Sequence, residues 1–397
     1  MSTLSELRRL VRQGGMRRVR SALSVGTGGA YEGGAWGPNV PLDFVDHVKS
    51  SEVIQFLNHE TTDGNRHGVP MATRLTLYRE GFYSQAAVLY DLDRLDEYVS
   101  DYARAEYGWE VNGEFRPVLD NKLLFRSVLG DHAERLPAVH YLIENGRCYP
   151  VSNRGNVERA VGTDAVTGPV DDLLDSRDRV VVKPLSGGGG RDVHVCERRG
   201  DRYVLDGGAV PDTGVREAVE SAEPCLLTDH LEQAEYAARL YPDATNTIRL
   251  LTMVDPETGE VFVPTAVHRI GGDDSAPVDN WSSGGYCAPI DLETGRLGAA
   301  VRGPESGSVE WYDEHPDSGV RIADVEVPRW NRIRRGVVRI ASDIDFVPYV
   351  GWDVVVTDDS FRIIEANTNS DVDLLQVHEP LLADDRTRRF YEHHGLA

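Results

Sequence analysis

Lysine is almost missing from this chain: of 42 basic residues only Lys49, Lys122 and Lys183 are lysine, and the other 39 are arginine. Positive charge as a whole is scarce, because 65 acidic residues leave a formal net charge of -23. Such a balance opposes nonspecific attraction to nucleic acid and to anionic membranes, so no nucleic-acid partner is expected. Cysteine is scarce as well. Cys148, Cys196, Cys225 and Cys287 stand far apart without C-x-x-C spacing, which argues against a zinc site or a redox dithiol and fits free thiols in a reducing cytoplasm. No apolar run approaches the roughly 20 residues of a membrane-spanning helix, and the N-terminus lacks the apolar core of a secretion signal. A soluble, cytoplasmic protein without a transmembrane segment is the expectation.

What is present is enough for a packed molecule. Hydrophobic residues form 40% of 397, with Gly and Pro spread along the chain, as in folded globular proteins. This length exceeds what one hydrophobic core organises, so two or three subdomains are expected. The acidic, lysine-poor composition resembles that of proteins from salt-loving organisms, a halophilic signature. Residues 4 to 23 alternate Leu4, Leu7, Leu10, Val11 and Val19 with six arginines, a broken basic helix. Its functional reading is contact with a membrane surface or an acidic partner; Gly14-Gly15 interrupts the period, and a solvated helix packed on its own domain is the favoured reading. The glycines between Gly26 and Gly34 do not make a dinucleotide fingerprint, because Trp36-Gly37-Pro38 follows where a helix should open.

Apolar periodicity predicts a helix over 84 to 108, another beginning at Asp120-Asn121-Lys122, and a third over 329 to 344. Strands are expected at Val180 to Val182, Cys225 to Leu227, Thr247 to Val254 and Glu260 to His268, the last two paired around the turn Asp255 to Gly259. Two more strands follow, Trp352 to Val356 and Phe361 to Ala366.

Two stretches carry chemistry. In the first, the strand Val180-Val181-Val182 delivers Lys183 to Pro184-Leu185 and then Ser186-Gly187-Gly188-Gly189-Gly190. A lysine leaving a buried strand needs an anion to replace its lost hydration. Four glycines in a row remove every Cβ, so backbone N–H groups can approach phosphate oxygens. The missing G-K-[ST] ending excludes a P-loop, and a plain flexible linker remains an alternative for this stretch alone. In the second, Asp353 and Glu365 flank a hairpin whose turn is read as Asp358-Asp359-Ser360. Pairing Thr357 with Phe361 sets Asp353 opposite Glu365, and Asn367 shares their face. Like charges directly across a ladder repel unless a cation sits between them. Two carboxylates and an amide oxygen suit Mg²⁺, which keeps its other positions for water and phosphate; a solvated acidic surface is the competing reading.

Together these residues resemble the ATP-grasp superfamily, and within it the sugar-transfer-associated subgroup related to glutamate ligases, over roughly residues 115 to 380. The resemblance implies an α+β fold in which two α+β subdomains clamp ATP: a divergent N-terminal region over 1–120, forming an acceptor-side domain, a small lid subdomain over 121–230, and a C-terminal subdomain over 231–397 built on an antiparallel sheet with the metal site. It implies that Lys122 and Lys183 neutralise the ATP phosphates beneath the glycine loop, and that Asp353, Glu365 and Asn367 hold Mg²⁺, with Mn²⁺ as a substitute. Thr228, Asp229, His230 and Leu231 resemble the hinge that reads adenine, and Gln233 or Glu235 stands where a ribose ligand would. Arg269, with Arg249 as the second choice, matches the cation aimed at the transferred phosphate. Asn280, in the loop Ser275 to Tyr286, matches a contact to phosphate or acceptor. One departure stands out: many relatives carry an arginine two residues before the metal aspartate, where this chain has Gly351. His268 and His378 have no companion at ligand spacing and are read as structural.

The function so implied is a carboxylate–amine ligase, which activates a small-molecule carboxylate as an acyl phosphate and couples it to an amine or a sugar-linked acceptor. An ATP-dependent phosphotransferase acting on a hydroxyl uses the same ATP residues, and a nucleotide-binding protein without turnover is a third reading.

Overall fold

The computed structural model describes residues 67–159, 168–188, 190–200, 202–303 and 308–397. The basic segment 4–23, the glycines 26–34, Lys49 and Gly189 lie outside the described residues. The chain divides into two units, one of residues 1–106, 304–310 and 397, the other of residues 107–303 and 311–396.

The described part of the first unit consists of short helices, at Met71–Arg79, Ala86–Leu89, Leu92–Glu97 and from Asp101 onward. The single helix expected over 84 to 108 therefore does not form. Tyr90 leaves the helical region at φ -122 and ψ 154, and the Asp91 carboxylate accepts from the Asp93 N–H, starting a separate 3-10 turn. Short-range Asx chemistry outcompetes the helix there. Leu89, Tyr98 and Val99 are buried nonetheless, and Tyr90 stacks on Tyr98 with ring centroids 4.3 Å apart.

The second unit contains two antiparallel sheets. The smaller is built from β1 (Val139–Glu144), β2 (Arg147–Pro150), β3 (Arg179–Pro184), β4 (His194–Arg199), β5 (Arg202–Leu205), β6 (Gly208–Val210) and β7 (Cys225–Asp229), in the order β2-β1-β7-β3-β4-β5-β6. Side chains alternate across β3. Val180 and Val182 are fully buried in a core with Ile143, Cys196 and Leu227. The helices α2 (Gly168–Leu174) and α3 (Asp212–Ala222) add Val170, Val215 and Val219 to it. Period-2 alternation then puts Arg179, Val181 and Lys183 on the opposite face, where a short helix, α1 (Lys122–Val128), begins beside the glycine loop. Asn121 caps α1 by accepting from the Leu123 and Leu124 N–H groups, which fixes where Lys122 starts.

The larger sheet comprises β8 (Ile248–Val254), β9 (Val261–Phe262), β10 (Ala266–Ile270), β11 (Tyr286–Pro289), β12 (Ala300–Arg302), β13 (Trp311–Tyr312), β14 (Tyr349–Val356) and β15 (Phe361–Asn367). Its order is β13-β12-β11-β10-β8-β14-β15, with β9 paired to β8. The strand expected over Glu260 to His268 is split around Pro264, which lacks the N–H a ladder needs. One face packs on α4 (Trp330–Ser342), whose Trp330, Ile333, Val337 and Ile340 recur at helical spacing and meet Ile248, Leu250, Trp352 and Val354. The other face of β8, β10, β14 and β15 is left for charged groups, and it is there that the chemistry collects. Among the described residues no helix is long and apolar enough to cross a membrane.

Candidate active site

The hairpin of β14 and β15 brings Asp353 opposite Glu365 by a route other than the one the turn implied. Val356, not Thr357, faces Phe361, one residue out of the expected register. A bulge then inserts Ile364 between the pairs Val354–Ile363 and Asp353–Glu365, and the ladder returns to the expected register. The bulge bends β15 so that Ile364 and Glu365 both leave the core face. Asn367 lies opposite Gly351, two pairs further on, and donates to the Gly351 carbonyl at 3.3 Å.

Asp353 is 3% exposed and is gripped from the neighbouring strands. Arg249, directly opposite on β8, donates Nε to Oδ1 at 2.5 Å and Nη2 to Oδ2 at 3.1 Å. Arg269 on β10 donates Nη1 to the same Oδ2 at 3.1 Å. The Arg269 Nη2 reaches Asp279 Oδ1 at 2.7 Å, and the other Asp279 oxygen accepts from the Thr247 N–H and hydroxyl at 2.8 and 2.5 Å. Charges thus alternate through a buried chain, Arg249, Asp353, Arg269 and Asp279. Burial opposes ionisation of Asp353, but the two guanidinium groups overcome it and hold the carboxyl below the usual range. Gly351 has a clear role in this arrangement. A Cβ there would lie 2.6 Å from Ser370 Oγ, and Ser370 is the acceptor for Arg249 Nη1 at 2.9 Å. Asp353 thus receives its guanidinium from the adjacent strand β8, while position 351 is left to glycine.

Glu365 is in the opposite condition. Burial, with the Asp353 charge added to it, raises its carboxyl above the usual range against the pull of Lys122, Arg249 and Lys183. Lys122 Nζ stands 4.0 Å away and donates to the Gly187 carbonyl at 2.8 Å. Lys183 is 6% exposed, and burial lowers its ammonium to about 8, with Lys122 and Arg126 pushing the same way and Glu365 opposing. Over these groups hangs the glycine loop. A Cβ on Gly188 would come within 3.8 Å of Asn367 Oδ1 and 3.9 Å of Glu365 Oε1, so the loop backbone lies against the carboxylate face. Gly187 and Gly190 adopt φ +99 and +71, which only glycine tolerates readily. Exposed Ser186 bridges to Asn121, tying the loop to the start of α1.

A divalent cation fits this donor set. A carboxylate offers about four lone-pair sites, of which the arginines take three on Asp353, while Glu365 lies within hydrogen-bonding reach of Asp353 and 4.0 Å from Lys122. A cation between Asp353 and Glu365 would relieve the repulsion that raises Glu365. Among the described residues no group of three or more His, Cys, Asp or Glu side chains is set to hold a metal.

Of the residues expected to read adenine, Thr228 and Asp229 end β7 and His230 and Leu231 follow it; Asp229, His230 and Leu231 line a cavity of about 410 Å³ with Leu136, Arg177 and Arg362. The Asp229 carboxylate is already engaged, by His140 Nε2 at 2.6 Å and Arg177 Nε at 2.8 Å. Thr228 is buried, with its hydroxyl on the Asp229 carbonyl at 3.3 Å. Two sequence candidates are not brought to the cleft as free groups. Both ends of the Gln233 amide are taken, Nε2 by the Ala244 carbonyl and Oε1 by Asn246, so it braces the strand entry in place of reaching a ribose. Asn280 spends its side chain within its own loop, on Ser282 and Ser283. Its neighbour Asp279 is the residue of that loop which reaches Arg269, and the sequence offered only its adjacency as a signal. His268, wholly buried between the Tyr236 hydroxyl and the Arg269 carbonyl at 3.0 Å each, has a structural setting.

A family model described as sugar-transfer associated ATP-grasp matches residues 102–388. No curated protein matches the chain by sequence. Among solved structures the chain is similar to an N5-carboxyaminoimidazole ribonucleotide synthetase in its ADP complex, at 11% identity and TM-score 0.34 over 64% of this chain and 46% of that one. It is similar to a biotin carboxylase from Campylobacter jejuni, at 13% and 0.37 over 71% and 47%, and to a D-alanine-D-alanine ligase from Helicobacter pylori, at 12% and 0.37 over 70% and 60%. The chain therefore spans between 46% and 60% of the length of these proteins. With most of its length matched by the family model, the chain belongs to the sugar-transfer associated ATP-grasp family.

Proposed function

We propose that this protein is an ATP-dependent ligase that activates a substrate carboxylate as an acyl phosphate and joins it to an amine or similar nucleophile, on a sugar-linked or cell-surface precursor. The observation that carries this reading is the closeness of the Gly188 backbone to the carboxylate face, where an added Cβ would lie 3.8 Å from Asn367 Oδ1 and 3.9 Å from Glu365 Oε1, next to Lys122 and Lys183. A loop of glycines, the buried Lys183 and half-buried Lys122 ammonium groups and a carboxylate pair meet where a metal-bound triphosphate would be cradled.

In this reading Lys122, Lys183 and the backbone of Ser186 to Gly190 bind the phosphates, while the hinge Thr228 to Leu231 receives adenine. Asp353, Glu365 and Asn367 would hold magnesium, which would supply charge neutralisation at the terminal phosphates. A carboxylate oxygen attacks the γ-phosphorus, the bond to the ADP oxygen breaks, and an acyl phosphate forms. The amine then attacks the acyl carbon, inorganic phosphate leaves and the nitrogen gives up a proton. Arg269 and Arg249, already fixed by Asp353, face the phosphate in transfer without having to reorganise. The lid loop keeps water from the mixed anhydride.

The test is product analysis with a pool of small carboxylic acids and amines. The ligase reading expects ADP and inorganic phosphate in equal amounts, and hydroxylamine should intercept the acyl phosphate as a hydroxamate. A stable phosphoester on a hydroxyl, with no inorganic phosphate, would replace it with the phosphotransferase.

A further inference from the structure

Arg126 is a buried cation that no part of the site described so far uses. It stands one turn after Lys122 on α1, a spacing that puts both side chains on one helix face about 6 Å apart along the axis. It is 3% exposed. Its Nη1 donates to the Pro137 carbonyl at 2.8 Å, while its Nε is buried with no hydrogen-bond partner. The carboxylate whose field supports its charge is Asp229, already hydrogen-bonded by His140 and Arg177. Burial lowers the guanidinium, and Arg126 in turn lowers Lys183. A buried arginine with an orphaned donor beside two lysines is costly unless an anion arrives.

The anchoring of Arg126 says where that anion should lie. Pro137 precedes β1, and the adjoining Ala138 carbonyl accepts from the Asp229 N–H at 3.0 Å, so the guanidinium is held at the hinge end of the cleft. Lys122 is held at the other end, on the Gly187 carbonyl and near Glu365. On that placement a nucleotide with its base at the hinge and its terminal phosphates at Glu365 would present its α-phosphate to Arg126.

We propose that Arg126 is a nucleotide-positioning residue that contacts the α-phosphate, so that the cleft grips any adenosine 5′-phosphate through a third cation. This rests on the reading that the cleft binds ATP. Because every 5′-phosphate carries the α group and adenosine does not, the contact separates nucleotides from the nucleoside.

Competition of adenosine, AMP, ADP and ATP against a fluorescent ATP analogue tests it, with wild type, Arg126→Met and Arg126→Lys and each melting curve recorded without ligand. Arg126→Met is expected to weaken AMP, ADP and ATP by about tenfold each, the loss of one charge-assisted contact, and to leave adenosine unchanged. Arg126→Lys, which keeps the charge but loses the planar fork that offers separate donors to Pro137 and a phosphate, should show the same pattern at smaller size. It decides the matter if the Met variant does not fold. A loss confined to ATP, an equal loss for adenosine, or no loss in a folded variant would each overturn the assignment. Wild type binding none of the four would sink the ATP reading itself, a result distinct from a failure of Arg126 alone.

Discussion

Arg249 and Asp353 lie opposite each other on adjacent strands and are joined through both carboxylate oxygens, at 2.5 and 3.1 Å. With Asp353 3% exposed and Arg249 7% exposed, neither charge has water to fall back on. Arg249→Met is therefore expected to destabilise the fold by about 3–5 kcal/mol, the cost of leaving a buried charge without its main partner. The double variant with Asp353→Asn should lose less than the sum of the two single losses. Urea denaturation of all four proteins measures this coupling; strictly additive losses would show that the pair is not an energetic unit.

Gly351 gives a second prediction. Gly351→Ala places a Cβ 2.6 Å from Ser370 Oγ and should cost about 1–3 kcal/mol by overpacking. Adding Ser370→Gly removes the clash and should recover part of the melting temperature. No effect of Gly351→Ala would mean that the strand and the Ser370 segment are less tightly apposed.

The hairpin that holds Asp353 was legible because its information is local: alternation along two strands and a short polar turn between them set the pairing. Even so, the expected pair was reached through a turn shift and an Ile364 bulge that cancel, and neither can be seen in side-chain pattern. Lys183 was legible for a similar reason, as three valines before a lysine and a glycine run describe a strand end and a loop. The partnership of Arg249 with Asp353 was not, because it depends on β8 lying beside β14 across about 100 residues of chain, and strand order is a tertiary outcome. Asp279 and Arg126 were missed in the same way. The engagement of Gln233 was not legible either, because an amide looks the same in sequence whether it faces a ligand or the Ala244 carbonyl.

Acid should destabilise the protein through two histidines. Burial holds His268 down to about 4 and His378 down to about 3. In the unfolded chain each binds a proton near pH 6.5. The unfolded state thus takes up more protons, so stability is full above pH 6.5 and is lost as pH falls, until about 4 for His268 and about 3 for His378. The slope is about 1.4 kcal/mol per pH unit for each histidine. Urea denaturation between pH 7 and 5 checks this, and His378→Gln should flatten the slope by about that amount.

Nucleotide affinity should also depend on pH. The free-protein Lys183 ammonium sits at about 8, and phosphate oxygens placed beside it raise that value. Affinity is then constant below pH 8 and falls as pH rises above it, with proton uptake on binding near pH 8. Calorimetry in two buffers of different ionisation enthalpy detects the proton; Lys183→Met should abolish the uptake and weaken binding.

The central claim is that one cleft takes ATP together with a divalent cation held by Glu365. ATP binding measured by calorimetry with magnesium and with a chelator, for wild type and Glu365→Gln, tests it most directly. Wild type should bind ATP at least about tenfold more tightly with magnesium, worth about 1.4 kcal/mol, and Glu365→Gln should lose that increment while still binding ATP. A wild type that binds no ATP, or a Glu365→Gln protein with the full magnesium increment, would contradict the account.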